Sequence, residues 1–129
     1  MKKIGIHFGI FTIIVINARE VYGHDDSLPY NADFTLLENG KEVAKGRAFN
    51  DGWGGPSNYR FERYTQEQQD AWNRASEYCK ENIKYTFKTI EIKNDLMDVI
   101  DHLVEIAIYS NNTDGIYTER AFLNYLNRA

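Results

Sequence analysis

An Asn-Gly pair at residues 39 and 40 is the feature that most constrains the fold of this chain. Asn-Gly tolerates the two positive φ angles of a type I′ turn, which joins two antiparallel strands directly. Apolar and polar residues alternate before the pair, with Ala32, Phe34 and Leu36 on one face. After the pair, a row of small residues that allows close approach of another backbone or ring lies between Val43 and Phe49. We therefore predict a tight β-hairpin centred on Asn39.

A second, longer turn follows, Asn50-Asp51-Gly52-Trp53-Gly54-Gly55-Pro56. Its glycines permit φ angles closed to other residues, and Asn50 and Asp51 can accept hydrogen bonds from nearby backbone amides. This composition is typical of a wide hairpin loop. The alternative is a binding loop whose backbone N–H groups form a nest for an anion, with Trp53 as an anchoring ring. The loop lacks the Lys-Ser/Thr pair of a P-loop and holds one carboxylate, which argues against nucleotide and calcium sites.

The remaining patterns add two more strands and three helices. Alternation from Ser57 to Tyr64 predicts a strand, and Thr65 with Gln68 fits a capping box that begins a helix with Trp72 on its apolar stripe. Residues 85–92 predict a short strand. Asn94 is a suitable N-cap for a second amphipathic helix, and Thr118 for a short last one.

Together these elements predict an α+β fold. We expect an antiparallel sheet of three to five strands, arranged as a hairpin or meander and packed against two main helices, with a short C-terminal helix. A chain of 129 residues with 43% hydrophobic and 26% charged residues fits one compact domain, residues 1–129. No internal repeat or interdomain linker divides it.

Residues 1–18 have two interpretations. Lys2 and Lys3 precede an apolar run, Ile4 to Ile16, and Ile16-Asn17-Ala18 could serve as a cleavage site, so these residues fit a secretory signal peptide. That interpretation implies a secreted or periplasmic protein. The run is rich in β-branched and aromatic residues, however, and residues 12–22 could instead form a first strand. It is too short for a transmembrane span.

Charge and cysteine content exclude several function classes. The formal net charge of −4 argues against a general nucleic-acid-binding protein, although Lys45, Arg47, Arg60 and Arg63 could form a local basic patch. Cys79 is the only cysteine, so neither an intramolecular disulfide nor a cysteine-based zinc site can form. We expect Cys79 to be a small buried residue.

The polar side of the second helix is the other candidate site. Its acidic face comprises Asp98, Asp101, His102 and Glu105. Asp98, His102 and Glu105 are spaced i, i+4 and i+7, so they could bind a metal or a cationic partner, or simply form a solvated surface. No other His or Cys motif completes a metal site, so we predict no metal and no cofactor. Docking to a partner is favoured over catalysis.

Two short polar segments match functional patterns, but neither match is strong evidence of a site. His24, Asp25 and Asp26 suggest a metal site, but neighbours in a loop seldom converge on one ion, and a solvated loop is the expectation. Asn111-Asn112-Thr113 matches the glycosylation pattern, which matters only in a eukaryotic secretory setting.

Several fragments resemble small, mostly uncharacterised proteins encoded by phages and bacterial mobile elements. The resemblance covers about Val15 to Tyr109, and its most specific part is Asn50-Asp51-Gly52-Trp53-Gly54-Gly55. It implies an intracellular accessory protein in the bacterial cytoplasm, with no established activity or catalytic residue. The apolar N-terminus and the tail after Ser110 depart from it. The other matching fragments are Ala32-Asp33-Phe34, Asn39-Gly40-Lys41 with Val43, Glu77-Tyr78-Cys79-Lys80, and residues 96–104 including Val99-Ile100-Asp101.

Three functions follow from these observations. Since no nucleophile beside a base, paired carboxylates or metal motif stands out, we favour a non-catalytic binding protein that presents the glycine loop or the acidic face to a protein partner, for example a host protein. An exported domain with an envelope role is the second. A metal-dependent enzyme that uses His102 and its neighbouring carboxylates is the third.

Overall fold

The computed structural model describes residues 2–21, 29–110 and 114–128, and it confirms the α+β class. The polar segment His24-Asp25-Asp26 and the glycosylation pattern at 111–113 lie outside these residues. In chain order the elements are β1 (Lys3–Phe8), β2 (Phe11–Glu20), β3 (Tyr30–Glu38), β4 (Lys41–Asn50), β5 (Asn58–Phe61), α1 (Gln66–Asn82), β6 (Lys84–Phe87), β7 (Ile90–Lys93), α2 (Leu96–Tyr109), β8 (Gly115–Thr118) and α3 (Glu119–Leu126).

The strands form one large sheet and one small hairpin. The six-stranded sheet has the order β5-β4-β3-β2-β1-β8, and β6 pairs with β7 alone. β1 to β5 form an antiparallel meander, whereas β8 lies parallel to β1. The expected three to five strands are therefore too few. The N-terminal run forms two strands instead of one, and so does the segment 85–92, which turns at Lys88 and Thr89 to form β6 and β7. β8 carries no alternation long enough to reveal it.

Glycines with positive φ angles form the turns of the β1–β2 and β3–β4 hairpins. Asn39 and Gly40 have φ angles of 53° and 80°, which confirms the type I′ turn between β3 and β4. The β1–β2 turn places Gly9 at φ 56°, and a side chain there would meet the ring of Tyr78 at 2.7 Å. The Asn39 amide donates to the Ile10 carbonyl at 2.7 Å, so the two turns lie side by side at one end of the sheet.

The N-terminal hairpin is part of the hydrophobic core. Its inward-facing side chains are at most 4% exposed, and they pack against the helices. The structure thus replaces the single strand expected at residues 12–22 with the β1–β2 pair, because a weak turn signal, Gly9-Ile10, divides the apolar run. The inward-facing side chains are Ile4, Ile6, Phe8, Phe11, Ile13 and Val15.

The helices pack on the same face of the sheet. Trp72 of α1 is 4% exposed and stacks on Tyr59 with ring centroids 3.8 Å apart, as its place on the apolar stripe predicts. Cys79 is fully buried, which confirms the expectation for the cysteine. None of the helices in the described ranges is both long enough and apolar enough to cross a membrane.

Two helix starts differ in detail from the prediction. Thr65 caps α1 by accepting from the Gln68 amide at 3.2 Å, but the Gln68 side chain bonds to Arg63 and Lys45 and does not complete the capping box. α2 is capped by Asp95, with Asp98 completing a capping box. Asn94, the predicted cap, is buried, and its side-chain amide donates to the carbonyl of Ile83, the residue that ends α1, at 3.0 Å.

Gly46 is required by close approach of two strands. A Cβ at this position would lie 2.0 Å from the Arg60 carbonyl oxygen of β5, a contact that forces backbone movement. We predict that Gly46→Ala lowers the free energy of unfolding by about 1–3 kcal/mol, as overpacking does. Urea unfolding of the two proteins measures this change.

Gly55→Ala is the matched control. No described atom lies within 4 Å of a Cβ built there. The control should be neutral or stabilising by up to about 1 kcal/mol, since alanine restricts the unfolded chain. Equal destabilisation by both substitutions would contradict the close approach of β4 and β5.

Removal of residues 1–18, as cleavage after Ala18 would produce, eliminates β1 and most of β2. We predict that a chain beginning at Arg19 does not fold cooperatively, because the sheet loses two adjacent interior strands and their six buried side chains. Circular dichroism and urea titration measure this, with full-length Ile10→Ala as a control at a position that is 48% exposed. A cooperative transition in the truncated chain would contradict the prediction. N-terminal sequencing from the native host then decides whether export occurs.

Candidate functional site

The polar residues of α2 have separate partners and do not form one site. Asp98 accepts from the Asp95 amide at 3.0 Å, and Asp101 accepts from the Tyr30 hydroxyl at 2.6 Å. His102 lies edge-on to the rings of Tyr85 and Phe122, at centroid distances of 6.4 and 6.2 Å. Glu105 alone of the predicted four is exposed. The docking stripe stays a prediction, and these contacts weigh against it.

Burial changes the titration of three of these groups. Burial raises the pKa of Asp98 to about 6. It also raises the pKa of Asp101, although hydrogen bonds from Tyr30 and Ser57 oppose the rise. Burial lowers the pKa of His102 against the attraction of Glu105 and Asp101. The contribution of each of these three groups to the stability of the fold therefore changes with pH. Within the described ranges, no three or more His, Cys, Asp or Glu side chains are grouped to hold a metal ion.

The glycine loop uses its own side chains to fix its shape. The Gly52 amide donates to Asn50 Oδ1 at 2.8 Å, and the Trp53 amide donates to Asp51 Oδ1 at 3.0 Å. Gly52 and Gly54 have φ angles of 80° and 83°. An anion nest would need these amides, so their hydrogen bonds weigh against that interpretation. The Trp53 side chain is 66% exposed at the surface of the loop.

The structure brings part of the loop together with α2. Asn50 Nδ2 donates to Ser57 Oγ at 3.2 Å, and the Ser57 side chain is hydrogen-bonded to Asp101. Tyr30 of β3, which is the cross-strand partner of Asn50, donates to the same carboxylate. The two candidate sites from the sequence therefore meet in one hydrogen-bond network. Sequence patterns gave no signal for Tyr30 or Ser57, because their roles depend on the packing of β3 and α2.

The open face of the sheet holds a groove of about 800 Å³. Strand alternation directs Ile16, Asp33, Arg47 and Arg60 away from the helices, and cross-strand pairing places them in one row from β2 to β5. Phe49 and Lys45 lie in the adjoining rows and also line the groove. Three of the four residues of the predicted basic patch thus come together here.

Ion pairs organise the floor of this groove. Asp33 accepts from Asn17 Nδ2 at 2.8 Å and lies 3.6 Å from Arg47 Nε. Lys45 Nζ lies 3.4 Å from Glu62. The Arg60 guanidinium lies 5.8 Å from the centroid of the Phe49 ring. Arg63, the fourth basic residue, lines a separate hollow with Glu42 and Gln68. The groove can therefore present positive charge beside an aromatic surface.

No protein-family model, curated protein or solved structure matches the chain. The candidate site is therefore defined by geometry and charge.

Asp98 makes the stability of the fold depend on pH. Because its folded pKa of about 6 lies above the unfolded value of 3.8, the folded state binds the proton more tightly. Its contribution to stability is complete below about pH 4 and is lost as the pH rises through about 6. We predict that Asp98→Asn flattens this part of the pH dependence.

Urea unfolding at several pH values from 4 to 7 measures the difference between wild type and Asp98→Asn. Comparison of the two proteins cancels the opposite contribution of His102, whose lowered pKa reduces stability as the pH falls. Asp70→Asn, on the exposed side of α1, is the control. Parallel pH curves for wild type and Asp98→Asn would contradict the assignment.

Proposed function

We propose that this chain is a small non-catalytic binding protein that takes a segment of a protein partner on the open face of its sheet. The observation that carries the proposal is the groove of about 800 Å³ on the face opposite the helices. A concave surface that combines arginines with an aromatic ring has the composition of protein-binding hot spots. The rigid meander beneath it fixes the positions of these side chains, which reduces the entropy lost on binding.

The charges in the groove favour a protein over a nucleic acid. Asp33 and Glu62 lie among the basic side chains, at 3.6 Å from Arg47 and 3.4 Å from Lys45. Attraction to a phosphate backbone needs an excess of positive charge, which interspersed carboxylates reduce, and the whole chain carries a net charge of −4. A polypeptide can place one acidic group near the arginines and apolar groups near Phe49.

The proposed origin and location are those that the resemblance implies. An accessory protein of a phage or mobile element would meet its partner in the bacterial cytoplasm. Export through residues 1–18 is the alternative, and the N-terminal sequencing described above separates the two. The glycine loop borders the groove, since it connects β4 to β5, so Trp53 is a second contact candidate.

Affinity capture from bacterial lysate tests the binding face. The compared proteins are wild type, the double variant Phe49→Ala with Arg60→Gln, Trp53→Ala, and the control Lys80→Gln on the exposed side of α1. A protein recovered by wild type and by the control is then purified, and its dissociation constant is measured for each variant. We expect the double variant to weaken binding at least about tenfold, the scale of an interface hot spot.

Unchanged binding by the double variant would reject the open face. Loss of binding by Trp53→Ala alone would place the contact on the glycine loop instead. Thermal melting of every variant shows that the fold is intact before binding is compared.

A further inference from the structure

Two arginines face each other on the open face of the sheet. Arg47 of β4 and Arg60 of β5 are direct cross-strand partners. Like charges directly opposite each other on one face destabilise a sheet. The free protein therefore carries a repulsion that a bound anion would remove.

Within the described ranges, one of these two arginines has a carboxylate partner and the other has none. Asp33 lies 3.6 Å from Arg47 Nε, and Asn17 Nδ2 holds the other carboxylate oxygen at 2.8 Å. Asn17 itself has a φ of 57° at the irregularity in β2, and this position brings its amide to Asp33. Among the described residues, Arg60 has no carboxylate within 4.0 Å and lies beside Phe49 instead. The trio of Arg47, Arg60 and Asp33 thus keeps an excess of one positive charge.

We infer that Arg47 and Arg60 bind a single carboxylate, supplied by an Asp or Glu side chain of the protein partner. This inference rests on the proposed function and names the chemistry that the groove recognises. One carboxylate neutralises the excess charge, whereas a phosphate group, with a charge of about −1.5 to −2, exceeds it beside Asp33. Guanidinium groups bind carboxylates through two parallel N–H···O bonds, which fixes the orientation of the partner.

Ile16 adds a second requirement on the partner. It lies in the same cross-strand row as Arg47, two strands away, with Asp33 between them. Neighbouring strands are about 4.8 Å apart, so Ile16 and Arg47 are separated by roughly 10 Å. A carboxylate held between Arg47 and Arg60 lies slightly farther from Ile16, at roughly 12 Å. Side chains of an extended chain alternate in direction, so residues four apart lie on the same side, about 13 Å from each other. The preferred segment therefore has an apolar side chain about four residues from the acidic one.

An array of random-sequence heptapeptides, probed with the full-length chain, tests this preference. The captured peptides should be enriched in Asp or Glu at about that spacing from an apolar residue. The strongest peptide and its Asn or Gln counterpart are then compared by fluorescence anisotropy. The dissociation constant of the acidic peptide should be lower by a factor of about ten or more, as expected for a hydrogen bond to a charged group.

Arg47→Gln and Arg60→Gln should each remove most of this difference between the two peptides. Arg63→Gln is the matched control, because Arg63 is an exposed arginine outside the groove. Because Arg60→Gln also removes the repulsion between Arg47 and Arg60, we expect its melting temperature to equal or exceed that of the wild type. A purely structural role for Arg60 predicts the opposite change.

Other results would overturn the inference. Tighter binding of a phosphoserine peptide would assign the arginines to phosphate, and tighter binding of a single-stranded oligonucleotide would assign them to nucleic acid. Binding that ignores the acidic residue and both arginine substitutions, yet is lost in Phe49→Ala, would reject the carboxylate while the binding face stands. Capture of no peptide also rejects it, and the lysate experiment then judges the proposed function separately.

Discussion

Burial of the β1–β2 hairpin beneath the helices is the interaction on which the rest of the structure depends. β1 pairs with β2 on one side and with β8 on the other, so it joins the meander to the C-terminal strand. Each buried Ile, Val or Phe side chain of the hairpin contributes about 1.5–3 kcal/mol. Lys2 Nζ also donates to the Ala107 and Ser110 carbonyl groups at the end of α2. Since the last turn of α2 has no basic residue of its own, Lys2 supplies the favourable charge there.

The elements that could be predicted are those with a strong local signal. Asn39-Gly40 determines its own turn, and the apolar stripe that carries Trp72 determines which side of α1 meets the sheet. The failures concern long-range contacts. Gly9-Ile10 is recognisable as a turn only when Tyr78 packs above it, and the four residues of β8 form a strand only because β1 offers an edge. Asn94 and Asp95 are both suitable caps for α2. The Asn94 side chain donates to the buried Ile83 carbonyl, and Asp95 caps the helix.

The candidate site shows the same division. The sequence indicated a local basic patch, and alternation could place its arginines on one face. The register between β4 and β5, which sets Arg47 opposite Arg60 and leaves Arg63 outside, depends on the length and shape of the intervening glycine loop. Helical spacing predicts that the polar residues of α2 share one side, but spacing cannot show that Tyr30 contacts Asp101 and that Phe122 contacts His102. Strand register and helix packing together decide which polar groups remain accessible.

The buried thiol of Cys79 can report on local opening of this fold. The thiol is completely buried in the hydrophobic core, and burial raises its pKa well above the ordinary value. A thiolate that reacts with an alkylating reagent can therefore arise only when the core around α1 opens. Since the chain has a single cysteine, the labelling rate measures one opening event and gives its free energy directly.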